Sequence, residues 1–194
     1  MLNIVIFGAP GSGKGTQSDN LIKTYNLFHI STGDVLRDNI KRGTELGAIA
    51  KAYIDKGQLI PDNLMIDILA SVLDDHREEA ANGVIFDGFP RTIAQAEALE
   101  TMLQERGTSV TTVVGLEVPE QELIDRILLR GKLTGRSDDN MDTVKNRLSV
   151  YHNQTSPLKE FYQQRGLYQS IEGTGTIEEI FDRIQAVINP LLEA

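Results

Sequence analysis

The stretch GAPGSGKGT at residues 8–16 directly follows the apolar run LNIVIF at residues 2–7. An apolar strand that ends in a glycine-rich turn is typical of a phosphate-binding loop, because glycines let several backbone N–H groups converge on one anion. The helix expected after the turn adds the positive end of its dipole, and Lys14 adds a charge for the outer phosphates. The stretch therefore predicts an α/β fold that binds a nucleoside triphosphate.

The loop departs from the standard pattern in one respect. A Ser or Thr that ligates Mg²⁺ is expected directly after the lysine, but Gly15 stands there and Thr16 comes one residue later. The pattern therefore does not predict direct ligation of the metal by a side-chain hydroxyl group. A glycine-rich turn with a solvated lysine and no ligand is the alternative, and the strand before the loop disfavours it.

Length and composition restrict the class of protein. A chain of 194 residues has the usual size of one main domain, with room for inserted lobes. The sequence has no cysteine and three scattered histidines, so we expect neither a disulfide nor a zinc site. A net charge of −9 disfavours nucleic acid and anionic membranes as partners. No apolar run approaches about 20 residues and no signal peptide fits before the loop, so we expect a soluble, cytoplasmic protein.

Apolar runs of strand length recur along the chain and alternate with helical patterns. This alternation predicts a doubly wound, five-stranded parallel sheet of the P-loop nucleoside triphosphate hydrolase type. In such a sheet, ligands bind beyond the carboxyl ends of the strands. The predicted strands are Leu2–Phe7, Leu27–Ile30, Val84–Phe86, Thr112–Val118 and Leu167–Ile171.

Two segments interrupt the alternation. Residues 31–60 have helical patterns broken by glycines, which predicts a small helical lobe. Residues 130–136 contain Gly131, Thr134 and Gly135, which predict a short loop flanked by arginines. We expect both segments to move. The single domain thus divides into a core of residues 1–30, 61–129 and 140–194, a lobe of residues 31–60 and a short lid of residues 130–139.

Residues suited to phosphate chemistry follow the third predicted strand. Asp87 ends that strand, where a carboxylate beside the phosphate loop would organise Mg²⁺ and its waters. The alternative is an aspartate that caps the next turn. Gly88-Phe89-Pro90-Arg91 comes next, and a fixed turn would aim the Arg91 guanidinium into the crevice as a bidentate phosphate clamp. The alternative there is a surface arginine on a proline turn.

Further arginines lie near other turns. Ser31 and Asp34 have the spacing of a capping box, which predicts the start of a helix. Arg37 lies one to two turns inside that helix, where it and the helix N terminus would together attract an anion.

Four more arginines surround the short predicted loop: Arg126, Arg130, Arg136 and Arg147. Arginines on a closing loop neutralise the charge of a migrating phosphoryl group and exclude water. The alternative is a solvated helix with ion pairs to nearby carboxylates. Four arginines in sequence beside a loop favour the phosphate-binding role.

In this order, the motifs resemble those of the adenylate kinases, and the resemblance extends over essentially the whole chain. The matching motifs are GAPGSGKGTQ from Gly8, STGDVLR from Ser31, GQLIP from Gly57, DGFPRT from Asp87, DRILLR from Asp125, GRSDD from Gly135 and RLSVYH from Arg147. The family's loop also has Gly-Thr after its lysine, and its Mg²⁺ is held largely through water with an acid such as Asp87 nearby. The resemblance implies reversible transfer of a phosphoryl group from Mg·ATP to AMP, giving two ADP, in adenine nucleotide homeostasis and salvage.

The resemblance also assigns residues to the two nucleotides. It implies an ATP site made of Gly11, Ser12, Gly13, Lys14, Gly15, Thr16, Arg126, Arg130 and Gly175. It implies an AMP site made of Thr32, Arg37, Gln58, Leu59, Ile60, Gly88, Phe89, Pro90, Arg91, Gln95, Arg136 and Arg147. The transferring group would contact Lys14, Arg91, Arg130, Arg136 and Arg147. The peptide bond before Pro90 would be cis, and no general base is predicted, because the acceptor is an ionised phosphate.

The lid resembles the short type found in this family. Only five residues separate Arg130 from Arg136, whereas the longer lid of many bacterial relatives spans some tens of residues and sometimes holds zinc by four cysteines. The resemblance therefore implies a lid without zinc. Short-lid members are often monomers, so we expect a monomer.

Two other functions use a similar phosphate loop. Kinases for UMP and CMP share the phosphate-binding residues, but they usually have Ala in place of Thr32 and Asn in place of Thr92. Thr32 and Gln95 therefore favour AMP. A nucleotide-dependent switch protein belongs to another class, and it would leave Arg91 and the lid arginines without a role. The chain also lacks the Asn-Lys-x-Asp motif that is typical of such switches.

Overall fold

A computed structural model describes residues 1–193. Five parallel strands form one sheet in the order β2-β3-β1-β4-β5. The strands are β1 (Ile4–Gly8), β2 (Phe28–Ser31), β3 (Val84–Asp87), β4 (Thr112–Glu117) and β5 (Tyr168–Glu172). The helices are α1 (Lys14–Tyr25), α2 (Thr32–Arg42), α3 (Glu45–Ile54), α4 (Asp62–Asp75), α5 (Ile93–Glu105), α6 (Glu120–Thr134), α7 (Met141–Val150), α8 (Leu158–Gln164) and α9 (Ile177–Leu192).

The predicted doubly wound parallel sheet is confirmed. All five residues of β1 are buried, as expected for a central strand with helices on both faces. The chain moves from β1 to β2 and β3 on one side and then to β4 and β5 on the other. The connections on the two sides of β1 therefore diverge at its carboxyl end, which is where ligands bind in sheets of this kind. No helix within residues 1–193 combines the length and the apolar character needed to cross a bilayer.

The predicted helical lobe consists of α2 and α3. Each helix begins at a capping hydroxyl group: Ser31 Oγ accepts a hydrogen bond from the Asp34 N–H at 3.3 Å, and Thr44 Oγ1 accepts one from the Gly47 N–H at 3.0 Å. The two helices approach so closely at Gly47 that a Cβ atom there would lie 2.2 Å from the Asn39 carbonyl oxygen. A glycine at this position is therefore required by packing.

Gly47→Ala is expected to lower the free energy of unfolding by about 1–3 kcal/mol, because the added methyl group forces the backbones of α2 and α3 apart. Chemical denaturation followed by circular dichroism measures the change. Gly15→Ala is the matched control, since Gly15 lies in a helix with open space around it, and its unfolding free energy should stay the same or rise slightly. Equal stability of Gly47→Ala and the unmutated protein would contradict the packing role.

The loop prediction for residues 130–136 is wrong for residues 130–134, which are helical. Helix α6 continues through Gly131 to Thr134 and ends at Gly135, whose φ of 67° is suited to glycine. Gly131 does not break the helix; it makes room for the following loop, since a Cβ atom there would lie 2.5 Å from the Asp139 carbonyl oxygen. The irregular connection between α6 and α7 is thus residues 135–140.

Candidate active site

The phosphate loop joins β1 to α1 at the carboxyl edge of the sheet. Gly11 and Gly13 have φ angles of 83° and 95°, which residues with a side chain rarely adopt, so the loop can coil only with glycine at these positions. Lys14 is the first residue of α1, and its Nζ donates hydrogen bonds to the carbonyl oxygens of Gly8 at 2.8 Å and Ala9 at 3.1 Å. The lysine therefore folds back over the loop, as a phosphate-binding lysine requires.

Lys14 lies among charged groups from three other elements. Burial lowers its pKa from 10.5 to about 8; Asp87 raises the pKa, while Arg91, Arg147 and Arg130 lower it. Several cations therefore surround one ammonium group and one carboxylate. Such a cluster is stabilised when a strongly anionic ligand enters.

Proton uptake is expected when Mg·ATP binds at pH 8. Because the pKa of Lys14 is about 8 in the free protein, about half of the molecules carry a neutral amine at that pH. Phosphate oxygens favour the charged ammonium, so binding raises the pKa and the affinity falls as the pH rises from 7 to 9. Isothermal titration calorimetry in two buffers with different ionisation enthalpies should give an uptake of about half a proton. Titration at pH 6.5 is the control, and no uptake at pH 8 would contradict the lowered pKa.

Asp87 ends β3 beside the phosphate loop. It pairs with Ile6 of β1 in the register of the sheet, and its carboxylate is nearly buried. Its Oδ2 lies 3.4 Å from Nε2 of His29 on the neighbouring strand. Carboxylate oxygen is the ligand type that Mg²⁺ prefers. The described part of the chain contains no group of three His, Cys, Asp or Glu side chains that could hold a metal.

The turn after β3 presents Arg91 to the crevice. The Gly88 carbonyl oxygen accepts hydrogen bonds from Arg91 Nε at 2.7 Å and from Thr32 Oγ1 at 2.9 Å. Gly88 has a φ of 79°, and a Cβ atom there would lie 2.8 Å from both of these side chains. The expected cis bond is present between Phe89 and Pro90, and the Phe89 side chain is buried.

Arg91 is buried deeply enough for its surroundings to shift the pKa of its guanidinium. Burial lowers its pKa to about 10, Arg147 lowers the pKa as well, and Asp87 raises it. The guanidinium remains charged at neutral pH. Its Nε is anchored to the Gly88 carbonyl oxygen, and no carboxylate within residues 1–193 forms an ion pair with it, so its outer nitrogen atoms could contact a ligand.

Thr155 supports the same turn from the other side of the crevice, and the sequence pattern did not indicate it. A π-helical turn at Tyr151–Thr155 follows α7, and Thr155 Oγ1 donates a hydrogen bond of 2.8 Å to the Arg91 carbonyl oxygen. Turns of this type occur often at functional sites. A single threonine inside a helical pattern carries no signal for such a contact.

The lobe of residues 31–60 contributes one wall of the crevice. Arg37 extends over Gly33 and forms an ion pair with Asp34, with Nη2 2.6 Å from Oδ1. The segment Gln58 to Ile60 lines the crevice near Arg37. A cation and a helix start thus lie on one wall of the crevice, an arrangement suited to an anionic ligand.

Gln95 lies at the back of the crevice with both ends of its amide hydrogen-bonded. Its Oε1 accepts from the Arg91 N–H at 2.7 Å, and its Nε2 donates to Asp62 Oδ1 at 2.9 Å. Gln95 was predicted to contact a nucleotide, whereas Asp62 was not singled out. An aspartate that follows a proline at the start of a helix is a common stabilising feature of helices, so its sequence position does not indicate a functional role.

The arginines around the loop of residues 135–140 are held largely by two buried aspartates. Asp139 accepts two hydrogen bonds from Arg130, at 2.7 and 2.8 Å, and one from Arg147 at 2.9 Å. Arg147 also lies 3.3 Å from the carboxylate of Asp138. These ion pairs orient the guanidinium groups, so the ion-pair and phosphate-binding interpretations are compatible for Arg130 and Arg147.

Arg136 differs from its neighbours. Within residues 1–193 its guanidinium has no hydrogen-bonded or ion-paired partner, although its carbonyl oxygen accepts a hydrogen bond from the Asp139 N–H at 3.3 Å. Burial and the charges of Arg37 and Arg130 lower the pKa of its guanidinium, while Asp139 and Asp138 raise it. Like charges that face each other without a full set of carboxylates are suited to a bound anion.

Arg126 lies at the outer end of the phosphate loop. Its Nη2 pairs with Glu122 and donates to the Gly173 carbonyl oxygen at 3.0 Å, and its Nη1 donates to the Ser12 carbonyl oxygen at 3.5 Å. The loop that contains Gly175, where φ is 110°, follows β5 next to this guanidinium. Arg126, the phosphate loop and the segment around Gly175 are therefore adjacent.

One crevice unites many of the predicted site residues. Its lining includes Lys14, Thr32, Arg37, Gln58, Leu59, Ile60, Gly88, Pro90, Arg91, Gln95 and Arg147. Other predicted residues lie outside that lining: Gly11, Ser12, Gly13, Gly15, Thr16, Asp87, Phe89, Arg126, Arg130, Arg136 and Gly175. Apolar side chains such as Leu36, Ile54 and Met65 also line the crevice.

The lobe and the loop meet over this crevice. Ser137 Oγ donates a hydrogen bond of 2.8 Å to Asp55 Oδ1, and the Asn146 amide donates to the Lys56 carbonyl oxygen. Gly57 approaches α7 so closely that a Cβ atom there would lie 2.8 Å from Arg147 Cγ. The end of α3 therefore contacts both the loop of residues 135–140 and α7.

Comparison with known proteins gives consistent matches. A family model described as adenylate kinase matches residues 6–167. The chain is 62% identical over 189 residues to an adenylate kinase of Parabacteroides distasonis, covering 97% of this chain and 98% of that protein. It is 61% identical over 191 residues to one of Bacteroides fragilis, covering 98% of this chain and 100% of that protein. An adenylate kinase of Porphyromonas gingivalis is 52% identical over 189 residues, or 97% of this chain and 96% of that protein.

Proposed function

The chain belongs to the adenylate kinase family, and we propose on that premise that its crevice reversibly transfers a phosphoryl group from Mg·ATP to AMP to give two ADP. It is thus a phosphotransferase that acts on adenine nucleotides. The observation that supports the residue assignments is that Lys14, Arg91, Arg147 and Gln95 all line one crevice, with Arg91 and Arg147 close enough to affect the pKa of Lys14. Cationic side chains suit a charged reacting group, and a hydrogen-bonding amide suits the base joined to it.

ATP is proposed to bind along the phosphate loop. The backbone N–H groups from Gly11 to Thr16 and the start of α1 would surround its phosphates, with Lys14 reaching the outer ones. The adenine would lie near Arg126 and the segment around Gly175. The contact between Arg126 and the Gly173 carbonyl oxygen supports this, because it joins that segment to the phosphate loop.

AMP is proposed to bind between the lobe and the turn after β3. Arg37 and Arg91 would bind its phosphate, and Gln95 would contact its base. Gln58, Leu59 and Ile60 line the same crevice, and their backbone would offer further hydrogen bonds to the nucleoside. The contact of Thr32 and Arg91 with one carbonyl oxygen, that of Gly88, supports a shared role in shaping this end.

Transfer requires alignment and charge neutralisation more than proton transfer. The acceptor is an ionised phosphate, so a positioned general base is unnecessary. Lys14, Arg91 and Arg147, with Arg130 and Arg136 from the lid side, would neutralise charge on the oxygens of the migrating group. The aspartates that orient Arg130 and Arg147 fix these cations in advance, which lowers the reorganisation needed during transfer.

Magnesium enters with ATP, and Asp87 is the residue proposed to orient its water ligands. When bound, the ion supplies neutralisation of phosphate charge. The near-burial of Asp87 beside the phosphate loop supports this role. No zinc is proposed, since the sequence has no cysteine.

Closure of the small parts over both nucleotides is part of the proposal. Contacts of the end of α3 with Ser137 and Asn146 support such closure, which would exclude water from the reacting groups. We also propose that the enzyme acts as a monomer on nucleotides of the cytoplasm. Gel filtration with light scattering tests the oligomeric state.

A kinase for UMP and CMP is disfavoured by the residues at the AMP end. Thr32 and Gln95 both face this end of the crevice, and Gln95 presents an amide that suits the edge of adenine. A nucleotide-binding switch is disfavoured because it gives no role to Arg91 and the lid arginines.

The proposed function is tested by incubating the protein with Mg·ATP and each of AMP, CMP, UMP and GMP while diphosphate formation is measured. Fast turnover is expected with AMP alone. Preference for a pyrimidine would overturn the assignment of Thr32 and Gln95, and ATP binding without turnover on any of the four would support the switch.

A further inference from the structure

The amide of Gln95 is held in one orientation by two groups of opposite hydrogen-bonding character. Asp62 Oδ1 lies 2.9 Å from its Nε2, and the Arg91 N–H lies 2.7 Å from its Oε1. A carboxylate oxygen only accepts a hydrogen bond in this setting, and a backbone N–H only donates. The chemistry of these neighbours therefore assigns the oxygen and nitrogen of the amide.

A reversed amide would face two unfavourable contacts. Its oxygen would lie against the carboxylate of Asp62, and its NH₂ group would lie against the N–H of Arg91. Gln95 is only 2% exposed, so water could not relieve either contact. From this geometry we propose that Asp62 is a positioning residue that fixes the Gln95 amide in the orientation that selects adenine over hypoxanthine. The inference rests on the proposed function, in which Gln95 contacts the base of AMP.

The orientation of the amide matters because each of its two ends keeps one hydrogen-bonding group without a partner among the described residues. One N–H of Nε2 and one lone pair of Oε1 have no partner among the described residues, and Gln95 lines the crevice. Adenine presents an acceptor at N1 beside a donor at N6, which complements this donor and acceptor. Hypoxanthine, the base of IMP, presents a donor at N1 and an acceptor at position 6, so it complements only the reversed amide.

Asp62 is itself held firmly. It is the first residue of α4, where the helix dipole favours a negative charge. Its Oδ1 also accepts a hydrogen bond of 3.1 Å from Thr92 Oγ1, and Thr92 caps α5, the helix that carries Gln95. The starts of two helices are thus joined through one carboxylate oxygen. The position of α4 therefore affects the position of the Gln95 amide, although Asp62 itself does not line the crevice.

The test is the selectivity of two variants for AMP over IMP, expressed as the ratio of kcat/KM for the two nucleotides at saturating Mg·ATP. Asp62→Ala removes the acceptor and should lower the ratio about tenfold or more, mainly through a higher KM for AMP, with kcat nearly retained. Asp62→Asn keeps the size but lets a neighbouring NH₂ group meet a reversed amide, so its ratio should fall by a smaller factor. Asp67→Ala is the matched control, because Asp67 is exposed on the same helix, and its ratio should equal that of the unmutated enzyme.

The selectivity ratio separates positioning from general support of the fold. If kcat/KM for AMP and for IMP fall in parallel in Asp62→Ala, the ratio is unchanged and the proposal is overturned. If Asp62→Ala does not melt cooperatively, Asp62→Asn decides, and an unchanged ratio there also overturns it. Failure of the proposed function would be seen separately, as absent AMP turnover by the unmutated protein.

Discussion

Arg91→Ala is expected to lower kcat with Mg·ATP and AMP by about a thousandfold while the protein remains folded. Arg91 Nε is anchored to the Gly88 carbonyl oxygen, and its backbone is held by Thr155 and Gln95. In the proposed mechanism this fixed guanidinium lies where charge develops during transfer, and an interaction of that kind affects kcat more than substrate binding. Steady-state kinetics with both substrates measures kcat and the two KM values.

Two further variants make the Arg91 result specific. Arg42→Ala removes an exposed arginine from the lobe and should leave kcat unchanged. Arg91→Lys keeps the charge but loses the planar fork, so it should recover only part of the activity. Turnover by Arg91→Ala within tenfold of the unmutated enzyme would contradict the role assigned to Arg91.

Lys14→Met is expected to lower kcat/KM for Mg·ATP by about 10²- to 10³-fold. Methionine fills a similar volume but supplies no charge to the phosphates. The folded protein should not lose stability, because burial of the Lys14 ammonium, which lowers its pKa to about 8, costs free energy below that pH. That cost declines as the pH rises toward the ordinary lysine value, since the unfolded chain then binds more protons than the folded one.

Kinetics and thermal melting should be measured together on Lys14→Met. Lys23→Met is the matched control, because Lys23 is exposed in the last turn of the same helix. It should keep both its activity and its melting temperature. A large drop in the melting temperature of Lys14→Met would show that the hydrogen bonds of Nζ to Gly8 and Ala9 stabilise the loop more than the buried charge destabilises it.

Local patterns were sufficient to predict the sheet and the phosphate loop. Each strand is a short apolar run between turn residues, and the observed bounds differ from the predicted ones by at most two residues at either end. Gly11, Gly13 and Lys14 lie within one continuous segment, so their spacing in the sequence is sufficient to predict the geometry of the phosphate loop. The strand order agrees with a doubly wound sheet, although local patterns cannot specify which strands become neighbours.

Contacts between distant segments were not predictable from the sequence. Asp62 meets Gln95 across 33 residues, and Thr155 meets Arg91 across 64. Neither Asp62 nor Thr155 belongs to a motif with a phosphate-binding pattern. Their partners are decided by how α4, α5 and the π-helical turn pack, which depends on the whole core.

The end of α6 illustrates a second limit. Gly131 indicated a loop because glycine weakens helices, but in the structure it lies inside α6 and allows the backbone of Asp139 to approach. A glycine can either end a helix or allow another segment to pack closely against it. Only the position of the packed segment distinguishes the two cases. The division of the chain into core, lobe and lid stays a prediction that closure experiments would test.

A crystal structure with a bisubstrate analogue, in which a chain of phosphates joins two adenosines, would show directly where the two nucleotides bind. We expect one adenine near Arg126 and the segment around Gly175 and the other against the Gln95 amide. The phosphate chain should contact Lys14, Arg91 and Arg147. An analogue whose phosphates lie away from Lys14 and Arg91, or whose second adenine does not reach Gln95, would contradict the assignment of this crevice as the site of transfer.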